Sequence, residues 1–446
     1  MKTAGRLWVA LLTLMRCSAT IAVSSGTDPN SFVLYGKMVT PHGVVEGNLV
    51  VQGSAIVCVG PDCTPPAGAT RFTITDAWIF PGFIDAHNHV AYNLLPKFRP
   101  TRLFKNRSEW QNSKAYKKFK QPYETLIKKD LACEAIKYAE MKALISGVTT
   151  IEGTSPASPC VRTLIRNAEN QNQLDIDSSH IRTFVLDIQT FDVAKEKMDF
   201  SVTKSFVVHL AEGVDRKARA EFATLKQKGL LTAQTAIIHG TALGEAEFQE
   251  MAQVGAKLIW SPQSNLTLYG QTTRIPLALE HGVPVSLGVD WNPTGSDDIF
   301  EELRAAWRVN EEKFAGAIPK TGWIPMITEN PAEALALSDK IGTLAPGLKA
   351  DITVLASEDA DPTESLLKTR LEDVEMVWVG GELLYGDAAA VEAAKHNLCE
   401  PLLVHGSTKQ ICVKDANNPV PKSDQTKQQI QGLLEANMRR LAPLVP

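Results

Sequence analysis

The 446-residue sequence lacks a surplus of basic residues, because its 46 Lys and Arg are outnumbered by 50 Asp and Glu and its formal net charge is −4. Nucleic-acid-binding proteins normally carry a basic excess or a basic stripe, so we expect no nucleic-acid partner. The sequence also lacks internal repeats and low-complexity tracts, and its hydrophobic fraction of 44% is typical of a globular protein. These features exclude disordered, collagen-like and coiled-coil proteins. The length allows about three domains, or one large α/β barrel with a satellite domain.

The N-terminal region lacks an apolar run long enough to cross a bilayer, which needs about 20 residues. Its most apolar stretch, residues 7–15, follows two basic residues and precedes a segment of small residues. This pattern predicts a secretory signal peptide over residues 1–22, with cleavage after Ala19 or Ala22. An ordinary N-terminal helix or strand and a lipid anchor at Cys17 are the alternatives. We therefore expect a secreted or periplasmic protein without a stable membrane span.

Cysteine is scarce, and no two cysteines have the C-x2-C spacing of many zinc sites. Removal of the signal peptide leaves six cysteines, an even number that favours disulfide bonds in an exported protein, although six cysteines allow fifteen pairings. Cys58 and Cys63 bracket a turn, and Cys399 and Cys412 bracket a loop-rich segment, so both pairs are typical of short disulfide staples. Six reduced thiols are the alternative.

Strand-like runs separated by Gly and Pro occupy residues 30–80 and return at residues 341–390. Between them, residues 81–340 alternate short apolar strands with helical patterns, including a long amphipathic helix predicted over 122–146. Strand–helix alternation of this length predicts a parallel barrel. We therefore predict an α/β fold with a (β/α)8-like (TIM) barrel that allows for one abbreviated unit. A small β-sandwich domain formed by both flanks and a C-terminal extension at 391–446 complete the chain.

Two histidines follow the first predicted barrel strand in the run Pro-Gly-Phe-Ile-Asp-Ala-His-Asn-His. Side chains at i and i+2 of a strand face the same side, so His87 and His89 point toward one spot, as two imidazoles that share a metal must. His209, His239 and Asp290 end three later predicted strands. The carboxyl ends of parallel barrel strands open onto one face. The shared placement favours one metal site over separate hydrogen-bonding roles for each histidine.

With these motifs the chain resembles the amidohydrolase superfamily, in particular its cytosine/guanine deaminase and triazine chlorohydrolase branch. The resemblance covers about residues 30 to 390. Its His-x-His run and its late Gly-x-x-Ala-Asp run are highly specific, and its Ser-Pro-x-Ser-Asn run is moderately so. The motifs that carry it lie at residues 81–89, 209–212, 239–240, 261–265, 290, 330–332 and 342–351.

The resemblance implies a set of four metal ligands: His87, His89, His209 and Asp290. They would hold one divalent metal ion, with zinc favoured and iron as the alternative, and such an ion lowers the pKa of a bound water to about 7. Asp290 is also expected to take the proton of the water. Glu212, three residues after a predicted ligand, is expected to carry that proton to the leaving nitrogen. His239 is expected to orient the water or to polarise the carbon under attack.

Binuclear members of this superfamily bridge two metals with a carboxylated lysine or a glutamate at the fourth barrel strand. In this sequence the interval from Leu186 to Ser205 leaves little room for a complete strand and helix, and its lysines lie in a charged stretch. Glu152, at the end of the second predicted strand, is a further candidate acid. We therefore expect one metal ion, and one barrel unit that is shortened or distorted.

Five residues on strand-end loops are candidates for substrate binding: Trp260, Gln263, Asn265, Tyr269 and Trp291. Core packing is the alternative for the tryptophans. Residues 92–121 form a basic and aromatic insertion after the metal motif. It could cover the mouth of the barrel and meet an anionic or aromatic substrate, or it could be a solvated loop with a few anchoring aromatics. The insertion residues concerned are Arg99, Arg102, Lys105, Arg107, Trp110 and Tyr116.

The leading hypothesis is a metal-dependent hydrolase that activates water to cleave a non-peptide C–N bond of a small cyclic molecule, as a deaminase does. The first alternative is an exported amidase or dipeptidase, which the signal pattern favours because nucleobase deaminases are usually cytoplasmic. The lack of a lysine at the fourth strand disfavours it. The second alternative, a non-catalytic scaffold, is disfavoured because no expected ligand is missing. We expect a small-molecule substrate and a homo-oligomer.

Overall fold

A computed structural model describes residues 19–153, 160, 164–169, 174–177, 179–394 and 398–446. Positions 1–18 of the predicted signal peptide, with Cys17, lie outside the described residues. The first strand, Thr20–Ser24, pairs with Ala69–Pro81 in antiparallel register. Cleavage after Ala19 keeps this strand whole, whereas cleavage after Ala22 would remove more than half of it.

The secondary structure mixes strands and helices along the whole chain. The strands, in chain order, are β1 (Thr20–Ser24), β2 (Asp28–Thr40), β3 (Gly43–Gln52), β4 (Ala55–Gly60), β5 (Ala69–Pro81), β6 (Phe83–Asp85), β7 (Val148–Ile151), β8 (Arg166–Asn167), β9 (Ile181–Phe184), β10 (Ser205–Leu210), β11 (Thr235–His239), β12 (Lys257–Trp260), β13 (Val285–Leu287), β14 (Ile352–Ala356), β15 (Val374–Val379), β16 (Glu382–Gly386), β17 (Glu400–Val404) and β18 (Ser407–Ile411). The α-helices are Arg107–Gln111, Lys114–Phe119, Gln121–Lys128, Ala132–Ile145, Arg216–Gln227, Glu245–Val254, Pro262–Tyr269, Ile275–Glu280, Ile299–Lys313, Glu329–Ala334, Pro362–Lys368, Ala388–Ala393 and Lys427–Asn437. None of these described helices has both the length and the apolarity needed to cross a membrane.

Both flanks of the chain contribute to one ten-stranded sheet with the order β17-β18-β16-β15-β14-β5-β2-β3-β4, in which β1 pairs with β5 beside this path. The flanks meet where β14 pairs antiparallel with β5. Their large apolar side chains share one core, in which Phe72 of β5 packs edge-on against Trp378 of β15 with ring centroids 5.6 Å apart. The prediction that β strands from both flanks come together is confirmed, and the small sandwich domain with its bounds stays a prediction. The C-terminal extension contributes β17 and β18 to the same sheet.

The middle of the chain forms eight parallel strands, β6 to β13, in two arcs of three and five strands. The first and last of these strands approach each other at a parallel bridge between Asn88 and Asp290, just beyond β6 and β13. Nearly all side chains of the strands are buried, as expected when both faces of a parallel sheet are covered. The (β/α)8-like barrel is confirmed, and the carboxyl ends of its strands carry the predicted site residues.

Two barrel units differ from the regular pattern. β8 has only two residues, Arg166–Asn167, which is too short for periodicity to predict, so Ile181–Phe184 is the fourth strand of the barrel. The expected abbreviation lies directly after it, but the part that is missing is the helix and not the strand. The fully described segment between β9 and β10 contains a single 3-10 turn, Ile188–Thr190, and no α-helix.

The amphipathic segment 122–146 forms two helices, Gln121–Lys128 and Ala132–Ile145, where the sequence pattern predicts one. The helical conformation is interrupted at Asp130, whose φ of +56° is left-handed. Asp adopts this conformation more readily than most non-glycine residues, so the break is a local one. The second helix is buried on nearly all sides, because the C-terminal helix Lys427–Asn437 packs against it.

Three disulfide bonds join the cysteines of the described chain: Cys58–Cys63, Cys133–Cys160 and Cys399–Cys412. The first and the last are the short staples that the spacing indicates. The middle bond ties the first turn of the helix Ala132–Ile145 to the segment after β7, a pairing that the sequence leaves open.

Candidate active site and metal centre

Backbone and carboxylate hydrogen bonds hold His87 and His89 at the mouth of the barrel. β6 ends at Asp85, whose buried Oδ1 accepts from the backbone N–H groups of His87 and Val289 at 3.4 and 3.0 Å. The backbone N–H of His89 donates to the carbonyl of Asp290 at 2.7 Å, and the N–H of Asp290 donates to the carbonyl of His87 at 2.8 Å. The seam that closes the barrel therefore fixes the predicted ligands of both ends.

The four predicted ligands converge on one point. His87 Nε2 lies 3.0 Å from His209 Nε2, which lies 3.3 Å from His89 Nε2. Asp290 Oδ1 lies 3.5 Å from His87 Nε2 and 3.4 Å from His89 Nε2. His239 is close by, since one ring nitrogen from each of His87, His209 and His239 lies within 4.8 Å of the others. The structure thus brings together all five residues that the strand ends indicate.

Strained backbone positions shape this convergence. His239 has a φ of +68° and Asp290 a φ of +69°, a left-handed conformation that few non-glycine residues adopt. Such positions cost on the order of 1–3 kcal/mol and cluster at functional sites. Gly288 allows the end of β13 to approach His87, because a Cβ at this glycine would lie 2.5 Å from His87 Cβ.

Burial keeps the imidazoles neutral. It lowers the pKa of His87 and of His209 well below the usual range, and the neighbouring imidazoles lower both further. Burial likewise lowers the pKa of His89 to about 4. Burial, with the charge of Glu212 as a further cause, raises the pKa of Asp290 well above its usual range. Neutral imidazoles offer the lone pairs that a metal requires, and a divalent cation would favour the ionised form of Asp290.

The donor set fits a divalent metal ion. Four ligands at about 2.0–2.1 Å from a tetrahedral zinc ion are about 3.4 Å apart, and the four distances here range from 3.0 to 3.5 Å. Three neutral imidazoles and one carboxylate match the nitrogen and oxygen ligands of catalytic sites. The other ring nitrogen of His87, Nδ1, is hydrogen-bonded to Ser261 Oγ at 2.8 Å, a contact that orients the ring.

Glu212 and His239 form a buried pair beside the ligands, with Glu212 Oε2 3.8 Å from His239 Nε2. Asn265, a predicted substrate-binding residue, lies behind His239, where its Oδ1 is 3.1 Å from His239 Nδ1. The amide nitrogen of Asn265 donates to the hydroxyl of Thr273 at 3.4 Å, so its oxygen faces the imidazole. Nδ1 of His239 therefore carries the proton, and Nε2 is left with the free lone pair toward the site.

Two further predicted substrate-binding residues lie at the site. The hydroxyl of Tyr269 donates to Glu212 Oε1 at 2.5 Å. Burial, and then the Glu212 carboxylate, raise the pKa of Tyr269 well above its usual range, so the phenol stays a donor. The ring of Trp291 packs edge-on against His89, with centroids 6.1 Å apart. His89 is the most open of the ligands, with 28% of its side chain exposed.

The remaining two predicted substrate-binding residues make contacts away from the histidines. Trp260 is fully buried, donates its indole N–H to Thr272 Oγ1 at 2.7 Å and packs against Phe314 with ring centroids 6.1 Å apart. Gln263 donates its side-chain amide to Thr267 Oγ1 within the same helix at 3.2 Å. The structure therefore gives Trp260 a place in the core, the alternative that the sequence left open.

The insertion 92–121 is strapped to the loop that carries Glu212. Asn106 forms an antiparallel bridge with Gly213, and the N–H of Val214 donates to the carbonyl of Lys105 at 2.7 Å. Gly213 has a φ of +148°, and a Cβ there would lie 2.4 Å from the carbonyl oxygen of Lys105, so only glycine allows this close approach. The insertion is thus an ordered part of the mouth.

Basic residues of the insertion whose side chains are hydrogen-bonded contact backbone carbonyls or the Glu109 carboxylate. Arg107 is buried and donates to the carbonyls of Leu186 and His209 at 2.8 and 3.4 Å, so it supports the backbone. Trp110 and Tyr116, by contrast, pack against each other with ring centroids 4.7 Å apart, within the aromatic cluster over the mouth. The insertion therefore covers the mouth with aromatic side chains. The other basic residues that the sequence analysis names in the insertion are exposed: Arg99, Arg102 and Lys105.

Sequence reasoning assigned no individual role to Ser261 or Asp85, although both belong to recognised motifs. Ser261 orients His87, and Asp85 receives hydrogen bonds from the first and last strand ends. The signal that points to them is position, because Ser261 directly follows β12 and Asp85 is the last residue of β6.

Comparison with known proteins finds a matching family model and similar proteins. Residues 205–385 match a family model described as Amidohydrolase family. A 5-methylthioadenosine/S-adenosylhomocysteine deaminase of Teredinibacter turnerae is 34% identical over 170 residues, which are 36% of this chain and 38% of that protein. The chain thus spans less than half of that relative. A protein of the same description from Pyrococcus furiosus is 24% identical over 432 residues, covering 84% of this chain and 98% of its own length.

Solved structures support the fold. The guanine deaminase of Bradyrhizobium japonicum superposes with a TM-score of 0.62 at 18% sequence identity, covering 80% of this chain and 100% of that one. At this identity the likeness concerns the fold, which is the barrel with its β domain.

Proposed function

Because the chain belongs to the amidohydrolase superfamily, we propose that it is a metal-dependent hydrolase that cleaves a non-peptide C–N bond of a small cyclic molecule by deamination. The observation that carries this proposal is the convergence of three neutral imidazoles and Asp290, with the Glu212–His239 pair beside them. The relatives named above as 5-methylthioadenosine/S-adenosylhomocysteine deaminases support an aminated heterocycle as the substrate.

We propose that the site holds one divalent ion, with zinc favoured, through His87, His89, His209 and Asp290. When bound, such an ion acts as a Lewis acid and increases the acidity of a water molecule. The fourth strand β9, Ile181–Phe184, contains no lysine, so it offers no residue that could be carboxylated to bridge a second ion. This favours a single ion, and it also disfavours the amidase alternative.

The residues of the chain divide the proton transfers. Asp290 accepts a proton from the attacking water as the water oxygen bonds to the trigonal ring carbon. Glu212 carries a proton to the departing nitrogen, so that the C–N bond breaks and ammonia leaves. His239 presents Nε2 toward the same space, with Nδ1 held by Asn265, and orients the water and the developing oxygen.

We also propose that the protein is exported, with Thr20 as the first residue of the mature chain. The signal pattern of residues 1–22 is the basis, and three disulfides of the described chain support it, because disulfides persist in oxidising compartments. Cleavage after Ala19 would leave β1 intact. A homo-oligomer is a further proposal, which light scattering of the purified protein tests.

The test is a metal analysis combined with an ammonia-release screen. Purified protein should contain about one zinc or iron per chain. Ammonia release is then measured with purines, pyrimidines, triazines, 5'-methylthioadenosine, S-adenosylhomocysteine and 5'-deoxyadenosine, and amide cleavage with N-acyl amino acids and dipeptides. Deamination of at least one heterocycle with no amide cleavage supports the proposal. Cleavage of amides alone would show an amidase, and two ions per chain would overturn the mononuclear site.

A further inference from the structure

Two side chains from distant parts of the chain donate to the same oxygen of Glu212. The Tyr269 hydroxyl donates to Oε1 at 2.5 Å, and the indole N–H of Trp110 donates to Oε1 at 3.3 Å and to the Tyr269 hydroxyl at 2.9 Å. All three side chains are buried, with exposures of 3%, 6% and 3% for Glu212, Trp110 and Tyr269. The other oxygen of Glu212, Oε2, is turned toward His239.

We propose that Trp110 and Tyr269 are positioning residues that hold the Glu212 carboxylate in one orientation for proton transfer, and that the insertion 92–121 exists in part to supply Trp110. This rests on the proposed function, in which Glu212 carries the proton. A glutamate side chain has three rotatable bonds, and fixing it before the reaction avoids a loss of entropy during the transfer. Two donors on Oε1 leave Oε2 as the oxygen that exchanges protons with the substrate.

The fold fixes both donors relative to Glu212. Trp110 lies in the helix Arg107–Gln111, whose first N–H donates to the carbonyl of Glu212 at 3.1 Å. Tyr269 is the last residue of the helix Pro262–Tyr269. Asn106 caps the first of these helices and donates its side-chain amide to Asp215 at 2.7 Å. The insertion is thus joined to the loop at Glu212 and at Asp215, three residues later.

A neighbouring bond ties the insertion to the second helix as well. The N–H of Phe104 donates to the carbonyl of Leu268 at 2.8 Å, one residue before Tyr269. We call the hydrogen-bonded set of Trp110, Tyr269 and Glu212 the clamp. Its residues come from three segments: the insertion, the helix after β12 and the loop after β10. Substitution of either donor should therefore change the orientation of the Glu212 carboxylate without displacing the metal ligands.

Kinetics of Trp110→Phe and Tyr269→Phe test the positioning role on the substrate that the screen identifies. Each variant removes one hydrogen bond to the Glu212 carboxylate, and bonds to charged groups are the stronger ones, so each should lower kcat about 10- to 100-fold. KM and metal content should stay within about 3-fold of wild type, since neither residue binds the metal. The double variant should lose less than the product of the two single effects, because both act on one carboxylate.

Matched controls remove equivalent bonds far from the site. Tyr138→Phe removes a buried hydroxyl that donates to the carbonyl of Ala442 at 2.7 Å, and Trp78→Phe removes a buried indole N–H that donates to the backbone carbonyl of Asp359 at 3.0 Å. Both controls should keep wild-type kcat. Equal losses in the controls, or a rise in KM or a loss of metal with unchanged kcat, would overturn the positioning role.

A measurement without turnover separates this inference from the proposed function. In a 15N–1H TROSY spectrum of the intact protein, the indole resonance of Trp110 is assigned by its loss in Trp110→Phe. It should shift in Tyr269→Phe and in Glu212→Gln and stay in place in Tyr138→Phe. A resonance that does not move in Glu212→Gln would refute the clamp whatever the enzyme does. A shift without any deamination in the screen would leave the clamp standing and refute the proposed function.

Discussion

His89 and Asp290 are joined twice across the seam of the barrel, through the backbone N–H of His89 on the carbonyl of Asp290 at 2.7 Å and through Nε2 and Oδ1 at 3.4 Å. His89 follows β6, the first strand of the barrel, and Asp290 follows β13, the last strand of the barrel. A metal ion bound between them would therefore also bridge the two ends of the barrel. Ligand binding to the folded state alone adds to its stability, so metal binding and barrel closure should be coupled.

Removal of the metal should lower thermal stability as well as activity. At a free metal concentration of 100 times Kd the folded state gains about 2.7 kcal/mol, so a chelator should lower Tm by several degrees. His87→Ala should lose both metal and turnover, because it removes a central ligand. His42→Ala, in an exposed turn, is the matched control and should keep both. Calorimetry and metal analysis are the measurements, and a chelator-insensitive Tm would contradict the coupling.

Glu212→Gln should separate metal binding from catalysis. The amide keeps the size of the side chain but cannot accept and release a proton, so turnover should fall about 10²- to 10⁴-fold. Metal content should remain that of wild type, because Glu212 is not among the proposed ligands. Full activity in this variant would show that another group carries the proton.

Arg107→Ala should destabilise the fold by about 2–4 kcal/mol, measured by urea unfolding. The substitution leaves the carbonyl of Leu186 and the buried carbonyl of His209 without their donor, and it removes the cation 3.8 Å from the buried Glu221. Arg102→Ala, which breaks an exposed pair with Glu109, should cost less than about 1 kcal/mol. Equal costs in the two variants would contradict the structural role of Arg107.

Stability should fall with rising pH through Glu140. Burial raises the pKa of this carboxyl from 4.5 to about 7. Between pH 4.5 and 7 the folded state holds a proton on Glu140 that the unfolded state has released. This proton's contribution to the free energy of unfolding is therefore complete below pH 4.5 and is lost by about pH 7. The loss should amount to about 3 kcal/mol. Unfolding free energies at several pH values should show this loss relative to Glu140→Gln. The exposed Glu392→Gln control should follow wild type, and a constant difference between wild type and Glu140→Gln would refute the expectation.

Expression of the full chain in an exporting host should yield a secreted or periplasmic product. Its N-terminus, read by intact-mass analysis, should be Thr20, because cleavage after Ala19 preserves β1. A mature chain that begins at Val23 would show that part of β1 is dispensable. An uncleaved cytoplasmic product would refute the export proposal.

The sequence by itself determined the barrel, the β domain built from both flanks and the residues that converge. His87 and His89 are two residues apart on a strand, and His209, His239 and Asp290 each follow a strand, so local periodicity and the parallel arrangement are enough to bring them together. The sequence did not predict the two-residue strand β8 or the interruption of the helix at Asp130, because neither leaves a periodic signal.

Only the tertiary structure decided which side chains form hydrogen bonds with those residues and with Glu212. Trp110 reaches Glu212 across 102 positions and Tyr269 across 57, and Arg107 turns to backbone carbonyls although its charge suggests a substrate contact. The left-handed turns at His239 and Asp290 likewise depend on the packing around them. Contacts between distant segments are selected by packing and by the pairing of buried polar groups, which a local sequence pattern does not encode.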